Sequence, residues 1–152
     1  MYVNVGNGQS LNARVGASTS DNIKYYIPHG QEVTVSGTSG SWSKVTVVGF
    51  SGKGSAWVQS SYLQSNNPNP LHNTKAYALG DKNLTTGSFG RYVHNLQIGL
   101  GITADGDFGP NTKMAVQSFQ SSHGLTADGI AGPNTKTALW GSASATIIAN
   151  GI

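Results

Sequence analysis

The chain of 152 residues has no cysteine, and only 10% of its residues are charged. The lack of cysteine excludes disulfides, thiolate metal sites and a cysteine nucleophile. No apolar run approaches the length of about 18 residues needed to cross a bilayer, and the opening MYVNVGNGQS has no basic segment before an apolar core, so no signal peptide is expected there. The nine Lys and Arg residues are scattered, which argues against nucleic-acid binding despite a net charge of +3.

Carboxylates and histidines are also few, and their arrangement argues against an enzyme. The only glutamate is Glu32, on the expected outer face of a strand, whereas most glycosidases need two carboxylates at one site. The histidines form neither an HxH nor an HExxH motif, so a zinc site with three protein ligands is not indicated. No GxSxG serine motif is present. We therefore predict no catalysis, no cofactor and no metal in these residues.

The segment QSNNPNPLHNTK marks a change of composition near the middle of the chain. Its two prolines, set among asparagines, exclude a helix and a central strand. We predict a first domain over 1–64, a linker over 65–76, a second domain over 77–141 and a C-terminal tail over 142–152. The sequence predicts no particular structure for the tail.

Before the linker the pattern is that of β-strands. The stretches GQEVTVSG, WSKVTVVG and IKYYI alternate apolar and polar residues and are rich in Val, Ile and Thr. In the third stretch, alternation places Tyr25 with Ile23 and Ile27 on one face and turns Tyr26 outward. Several short strands joined by tight turns predict a small barrel.

After the linker the pattern is helical and contains a repeat. TADGDFGPNTK at 103–113 returns as TADGIAGPNTK at 126–136, between apolar residues at helical spacing, which predicts three short helices. The aspartates of the loop suit Asx turns, the glycines suit positive φ and the prolines suit the first helical position. These residues are Asp105, Gly106, Gly109 and Pro110 in the first copy and Asp128, Gly129, Gly132 and Pro133 in the second.

The repeated loop has a structural and a metal-binding interpretation. DGD at 105–107 is compatible with part of a calcium loop, but such loops end in a bidentate glutamate. Here the loop ends in Phe-Gly-Pro, and Ile130 replaces Asp107 in the second copy. The structural interpretation is therefore favoured.

The helical half carries a family pattern. LTTGSFGRYVHNLQ is followed by TADGDFGPNTK, a helix containing FQ, and LTADGIAGPNTK. This order resembles the three-helix peptidoglycan-binding domain attached to many cell-wall hydrolases. The segment IGLGI is shorter than its counterpart in that family, so the groove there is expected to differ in shape.

The first half resembles a bacterial SH3 domain. LNARVGASTS is similar to the opening of that family, and GQEVTV, WSKV and AWVQSSYL are similar to its later strands and closing turn. Together the resemblances imply an SH3-like β-barrel followed by a three-helix peptidoglycan-binding domain. They imply a monomeric, extracellular protein that is associated with the cell wall. It is expected to bind peptidoglycan and to target an associated hydrolase or phage endolysin to the wall. A protein-interaction or assembly module is the alternative, and an unrecognised hydrolase is a more distant one.

Aromatic rings offer flat area to sugars and peptides, and amides and arginine offer directional hydrogen bonds. On this basis the candidate ligand-binding residues are Asn12, Arg14, Tyr26, Trp42, Trp57 and Tyr62 in the β half, and Tyr92, Gln97, Phe108 and Gln117 in the helical half.

Several of these candidates have a second interpretation. Trp42 and Trp57 suit the core of a small barrel as well as a ligand platform. Phe108 has Ala131 as its repeat partner, so it lines a site formed by one loop only or fills a hole in the core. Gln97 recurs at an equivalent position in the second copy, which also suits a cap on backbone groups.

Overall fold

The computed structural model describes residues 1–152, which divide into two compact units, Met1–Pro70 and Leu71–Ile152. The first unit is built from β-strands and the second from α-helices. The division falls inside the segment 65–76 that the sequence predicts as a linker. No helix of the chain has both the length and the apolar character needed to cross a membrane.

Seven short strands and two 3-10 turns form the first unit. The strands are β1 (Tyr2–Val3), β2 (Ser10–Arg14), β3 (Ile23–Pro28), β4 (Val33–Ser39), β5 (Trp42–Val47), β6 (Ala56–Gln59) and β7 (Leu63–Gln64). The 3-10 turns are Ser51–Lys53 and Ser60–Tyr62. The alternating segments of the sequence therefore form strands, as predicted.

The sheet is open, so the prediction of a closed barrel is wrong. Five strands lie in the order β3-β2-β6-β5-β4, while β1 pairs with β7 in a separate ribbon. Closure would require β3 to pair with β4. Instead, the N-terminal residues bond to the connection between these two strands: Val3 N donates to Gln31 O (3.0 Å) and Val33 N to Met1 O (2.8 Å). Backbone groups there are thus satisfied without closure.

The two faces of the sheet differ in character. Inward side chains from six strands are almost fully buried, and they are Val3, Leu11, Ala13, Ile27, Val33, Val45, Val47, Ala56 and Val58. The predicted alternation in β3 is confirmed near its C-terminal end, where Ile27 is buried and Tyr26 is 42% exposed. It is wrong at the start of the strand, where Ile23 is 38% exposed beside an irregularity in the pairing with β2. The opposite face is therefore free to carry polar and aromatic residues.

Four helices form the second unit, one more than predicted. They are α1 (Lys75–Leu79), α2 (Arg91–Leu100), α3 (Pro110–Ser122) and α4 (Pro133–Asn150). The extra helix, α1, has five residues, too few for a periodic pattern. It begins at an N-cap, Thr74, whose Oγ1 accepts from Tyr77 N (3.3 Å), and ends at Gly80 with φ +75°.

The segment 142–152, for which the sequence predicts no structure, mostly belongs to α4. The reason is tertiary: Ile147 is fully buried in the core of the unit. A Cβ at Gly99 of α2 would lie 2.9 Å from Ile147 Cδ1 and 3.0 Å from Leu139 Cδ2. The missing side chain at Gly99 thus lets α2 and α4 pack closely, which supports the last turns of α4.

Candidate binding site

The repeated loop is fixed by a glutamine from the preceding helix. In the first copy, Gln97 Nε2 lies within hydrogen-bond distance of Asp105 Oδ1 (2.9 Å), Asp107 O (3.1 Å) and Thr112 Oγ1 (3.0 Å). Gln97 Oε1 accepts from Gly106 N (2.9 Å). One buried amide therefore connects helix α2, the loop and the start of α3, and we call this set of hydrogen bonds the glutamine clamp.

The second copy repeats this clamp. Gln120 Nε2 lies 2.9 Å from Asp128 Oδ1, 2.9 Å from Ile130 O and 3.0 Å from Thr135 Oγ1. Its Oε1 accepts from Gly129 N (3.0 Å). The capping interpretation of both glutamines is confirmed, and the loop is repeated because each copy makes the same helix-to-helix connection.

The predicted Asx turns are also present. Asp105 Oδ1 accepts from Asp107 N (2.9 Å), and Asp128 Oδ1 accepts from Ile130 N (3.0 Å). These backbone amides, helped by the glutamine amides, lower the pKa of both aspartates below its ordinary value. The carboxylates are thus engaged in turns of their own chain.

The other loop residues are confirmed in part. Pro110 and Pro133 begin α3 and α4, as predicted. Positive φ occurs at Gly106 and Gly129, both +76°. It does not occur at Gly109 (φ −101°) or Gly132 (φ −91°). At those two positions the backbone is extended and leads directly into a helix, so a left-handed conformation is not needed.

Three of the four candidates in the helical unit are buried, which corrects their assignment as ligand contacts. Tyr92 is 2% exposed, and Gln97 and Phe108 are each 1% exposed. Phe108 fills the core rather than lining a site, and its amide donates to Ser88 O (2.9 Å). Only Gln117 reaches the surface, on α3 beside the exposed Met114.

The β unit contains an open cleft that gathers four of its six candidates. We call it the β2–β6 cleft, and its volume is about 320 Å³. The candidates Asn12, Arg14, Trp42 and Tyr62 line it, together with Gln59 and parts of the turn that precedes β2. Tyr26 and Trp57 are not part of its lining, although strand register places both beside it.

Strand register explains why these residues meet. Trp42 of β5 lies opposite Gln59 of β6, and Asn12 of β2 lies opposite Tyr26 of β3. Opposed residues in neighbouring strands share a face of the sheet. Since Leu11 and Ala13 point into the core, Asn12 and Arg14 point to the outer face.

One wall of the cleft is held by His29. Its Nδ1 accepts from the amides of Val5 (3.2 Å) and Gly6 (3.1 Å), and its own amide donates to Gln9 O (3.0 Å). Val5 and Gln9 both line the cleft. The buried histidine is thus a structural residue, which fixes the turn between β1 and β2.

Polar groups in the cleft are left unpaired by the protein. The side chains of Asn12, Gln59 and Tyr62 make no hydrogen bond within the chain, and Tyr62 is 41% exposed. Arg14 uses one N–H, which Nη1 donates to Asp21 O (2.9 Å). Trp42 is 9% exposed and also lines the cleft. Most of its ring is thus buried as a core residue, and the remainder faces the cleft, as a ligand platform would.

Sequence reasoning missed Gln59 and Lys44. In β6 the sequence AWVQ alternates buried and half-buried residues, so Gln59 follows Trp57 onto the same outer face. Lys44 lies opposite Trp57 in β5. Alternation along β6 was a sufficient signal for Gln59, whereas the position of Lys44 depends on pairing between strands.

The arrangement suits binding rather than catalysis. No group of three His, Asp or Glu side chains lies close enough together to hold a metal ion. The open cleft instead offers the side-chain amides of Asn12 and Gln59, the phenol of Tyr62 and the guanidinium of Arg14 around the indole of Trp42. Such groups suit the binding of a polar ligand.

Comparison with known families gives the particular class. Residues 9–64 match the model of the "Bacterial SH3 domain" family, and residues 85–139 match the family described as "Putative peptidoglycan binding domain". The chain therefore contains one domain of each family, the bacterial SH3 domain first and the peptidoglycan-binding domain second. Both matched domains are binding modules rather than catalytic domains, and the function that they give the chain is binding to the peptidoglycan of the cell wall.

Two solved structures are similar to parts of the chain. The N-terminal domain of SleB is 33% identical, covers 43% of this chain and 99% of its own, and has a TM-score of 0.42. A peptidoglycan-binding protein from Clostridioides difficile, solved with glutamine hydroxamate, is 26% identical with a TM-score of 0.38. That match covers 72% of this chain and 57% of the other. The comparison with curated proteins gave no match.

Proposed function

We propose that the β2–β6 cleft is the site through which the first unit binds peptidoglycan, and that the chain directs an associated hydrolase or endolysin domain to the wall. The observation that carries this proposal is the set of unpaired polar groups on Asn12, Gln59 and Tyr62 around the Trp42 ring. Peptidoglycan presents amides, hydroxyls and carboxylates on sugars and short peptides. Side-chain amides pair with such groups in both directions, as donor and as acceptor.

The helical unit supplies a second, weaker contact. A cleft of about 350 Å³ lies beside the second repeated loop, with Asn83, Thr126 and Asn134 in its lining. Its glutamine and aspartate are engaged in the clamp, so fewer free groups are available than in the β2–β6 cleft. Two weak sites on one chain gain apparent affinity on a repetitive polymer through effective concentration.

Co-sedimentation with insoluble peptidoglycan, stripped of other wall polymers, tests this proposal. We expect retention at high salt for the unaltered chain. Asn12→Ala and Tyr62→Ala should each weaken binding by about fivefold, because each removes one hydrogen-bonding group worth about 1 kcal/mol. Thr38→Ala, at an exposed position of edge strand β4, is the matched control and should bind normally.

Three other results would redirect the assignment. If the unaltered chain fails to pellet, wall binding through these residues is refuted and a protein partner becomes the leading hypothesis. If both cleft variants pellet like the unaltered chain, the site lies elsewhere, and Asn134→Ala then tests the cleft of the helical unit. Loss of turbidity in a wall suspension would reveal an overlooked hydrolase.

A further inference from the structure

Three residues with complementary chemistry lie side by side across the outer face of the sheet. Trp57 of β6 has Arg14 of β2 as its register partner on one side and Lys44 of β5 on the other. Opposed residues share a face, so the indole stands between two cationic side chains. With strands about 4.8 Å apart, the Cα atoms of the two cations are separated by about 10 Å.

We call Arg14, Trp57 and Lys44 the cationic row. This row is open at the end next to Lys44. The next strand, β4, contributes Gly37 opposite Lys44, and this position has no side chain. A Cβ built there would meet nothing nearer than Lys44 Cβ at 4.0 Å. The nearest side chain of β4 is Ser36, whose Oγ donates to Lys44 O (3.4 Å), so no side chain stands at the register position opposite the lysine and a ligand can pass over it along the direction of the row.

Neither cation of the row forms an ion pair within the chain. Lys44 is exposed, and its ammonium has no partner in the chain. Arg14 donates one N–H to the backbone carbonyl of Asp21 and retains the others. The first unit has two carboxylates: Asp21 lies beside Gly16 in the turn after β2, and Glu32 lies in the connection between β3 and β4, where its backbone bridges to Tyr2.

Trp57 is available to a ligand in the same way. Its side chain is half-buried and makes no hydrogen bond within the chain. An indole face offers a flat apolar surface for the C–H groups of a sugar ring, and its N–H offers one donor. The neighbouring cations then select rings that carry a negative group.

We propose that the row Arg14–Trp57–Lys44 binds an acidic saccharide, with a sugar ring on the indole and its carboxylate or phosphate held by the two cations. This inference rests on the proposed function and deepens it, because it states which groups of the wall the outer face selects. Two sources share this chemistry: carboxylates of peptidoglycan itself, and phosphates of a polymer attached to it. Guanidinium and ammonium groups bind both kinds of anion.

Titration calorimetry with soluble probes tests the inference separately from wall binding. The probes are an oligogalacturonate, which carries carboxylates, an oligo(glycerol phosphate), which carries phosphates, and a neutral chito-oligosaccharide. We expect at least one acidic probe to bind more tightly than the neutral probe, with an affinity that falls as salt is added. The acidic probe that binds identifies the source, and either one supports the inference.

Lys44→Gln is the decisive variant, because the side chain is exposed and its loss should leave the fold intact. We expect it to weaken acidic-probe binding by about fivefold at low salt and to reduce the salt dependence. Lys113→Gln, which removes the same charge from the surface of α3, should have no effect. Lys44→Arg should retain binding.

Specific results would overturn the inference without touching the proposed function. One is equal affinity for neutral and acidic probes. Another is unchanged acidic-probe binding in Lys44→Gln. If either occurs while Asn12→Ala and Tyr62→Ala still lose peptidoglycan, the cleft binds the wall and the cationic row does not. If the unaltered chain fails to pellet with peptidoglycan yet binds an acidic probe, the row stands and the proposed ligand is wrong.

Discussion

Replacing the clamp glutamines should destabilise the helical unit strongly and in a position-specific way. Gln97→Leu leaves the buried Gly106 N–H and the buried Thr112 hydroxyl without their partner. An orphaned buried donor costs about 1–3 kcal/mol, and each further lost hydrogen bond costs about 1 kcal/mol. We therefore expect a loss of about 3 kcal/mol. Gln120→Leu should cost the same, because its four contact distances match those of Gln97 to within about 0.2 Å.

Urea denaturation followed by NMR of amides in the helical unit measures the free energy of unfolding of that unit. Native-state hydrogen exchange then separates the two clamps: the Gly106 N–H should lose protection in Gln97→Leu, and the Gly129 N–H should lose it in Gln120→Leu. Gln117→Leu is the matched control. It is half-buried on α3 without a side-chain hydrogen bond in the chain, and should change stability by less than about 0.5 kcal/mol. If the clamp variants cost no more than this control, or if neither glycine amide exchanges faster, the glutamine hydrogen bonds do not stabilise the unit.

Two further predictions concern the same unit. Lys136 is buried, its Nζ donates to Gly80 O (2.9 Å), and burial lowers its pKa to about 8. In the unfolded chain the Lys136 ammonium keeps its proton to a higher pH, because its ordinary pKa is higher. Above pH 8 the unfolded state therefore binds more protons than the folded state, and the free energy of unfolding should rise by roughly 2 kcal/mol from pH 7.5 to pH 9.5. Urea midpoints at both pH values measure the rise, and Lys136→Met should abolish it; a flat profile in the unaltered chain would contradict the burial argument. Gly80→Ala should lower the melting temperature more than Gly101→Ala does. At Gly80 (φ +75°, ψ 175°) a Cβ would lie 2.6 Å from Tyr92 Cδ2. At Gly101 (φ +72°, ψ 27°) a Cβ would meet nothing within 4 Å. Equal losses would exclude the ring contact as a factor.

Local features of the fold were readable from the sequence because their causes lie within a few residues. Asp105 bonds an amide two positions away, and Pro110 occupies a helix start at which its missing N–H costs nothing. The alternation that turns Tyr26 outward is a property of any half-buried strand. Those patterns, together with the order of the family motifs, were enough to predict two domains and a wall-binding function.

The candidate site was predicted less completely. Asn12, Arg14, Trp42 and Tyr62 were predicted as separate candidates, and strand pairing brings them into one cleft, but Tyr92, Gln97 and Phe108 are buried. A helical repeat shows which positions are equivalent, and it does not show which side of each helix faces the core. Phe108 and its repeat partner Ala131 both lie in that core, so the asymmetry of the repeat belongs to the packing of the unit.

By itself, the sequence determined the β character of the first unit, the helical character of the second, the turn chemistry of the repeated loop and the absence of thiol chemistry, because each depends on residue type and short spacing. Tertiary structure alone decided that the sheet stays open, that α4 continues past Leu139 and that Lys44 stands beside Trp57. Each of these depends on contacts between distant segments: the N-terminal residues against the β3–β4 connection, Ile147 against Gly99, and β5 in register with β6. Such contacts bring together residues far apart in the chain, and no local pattern encodes their register.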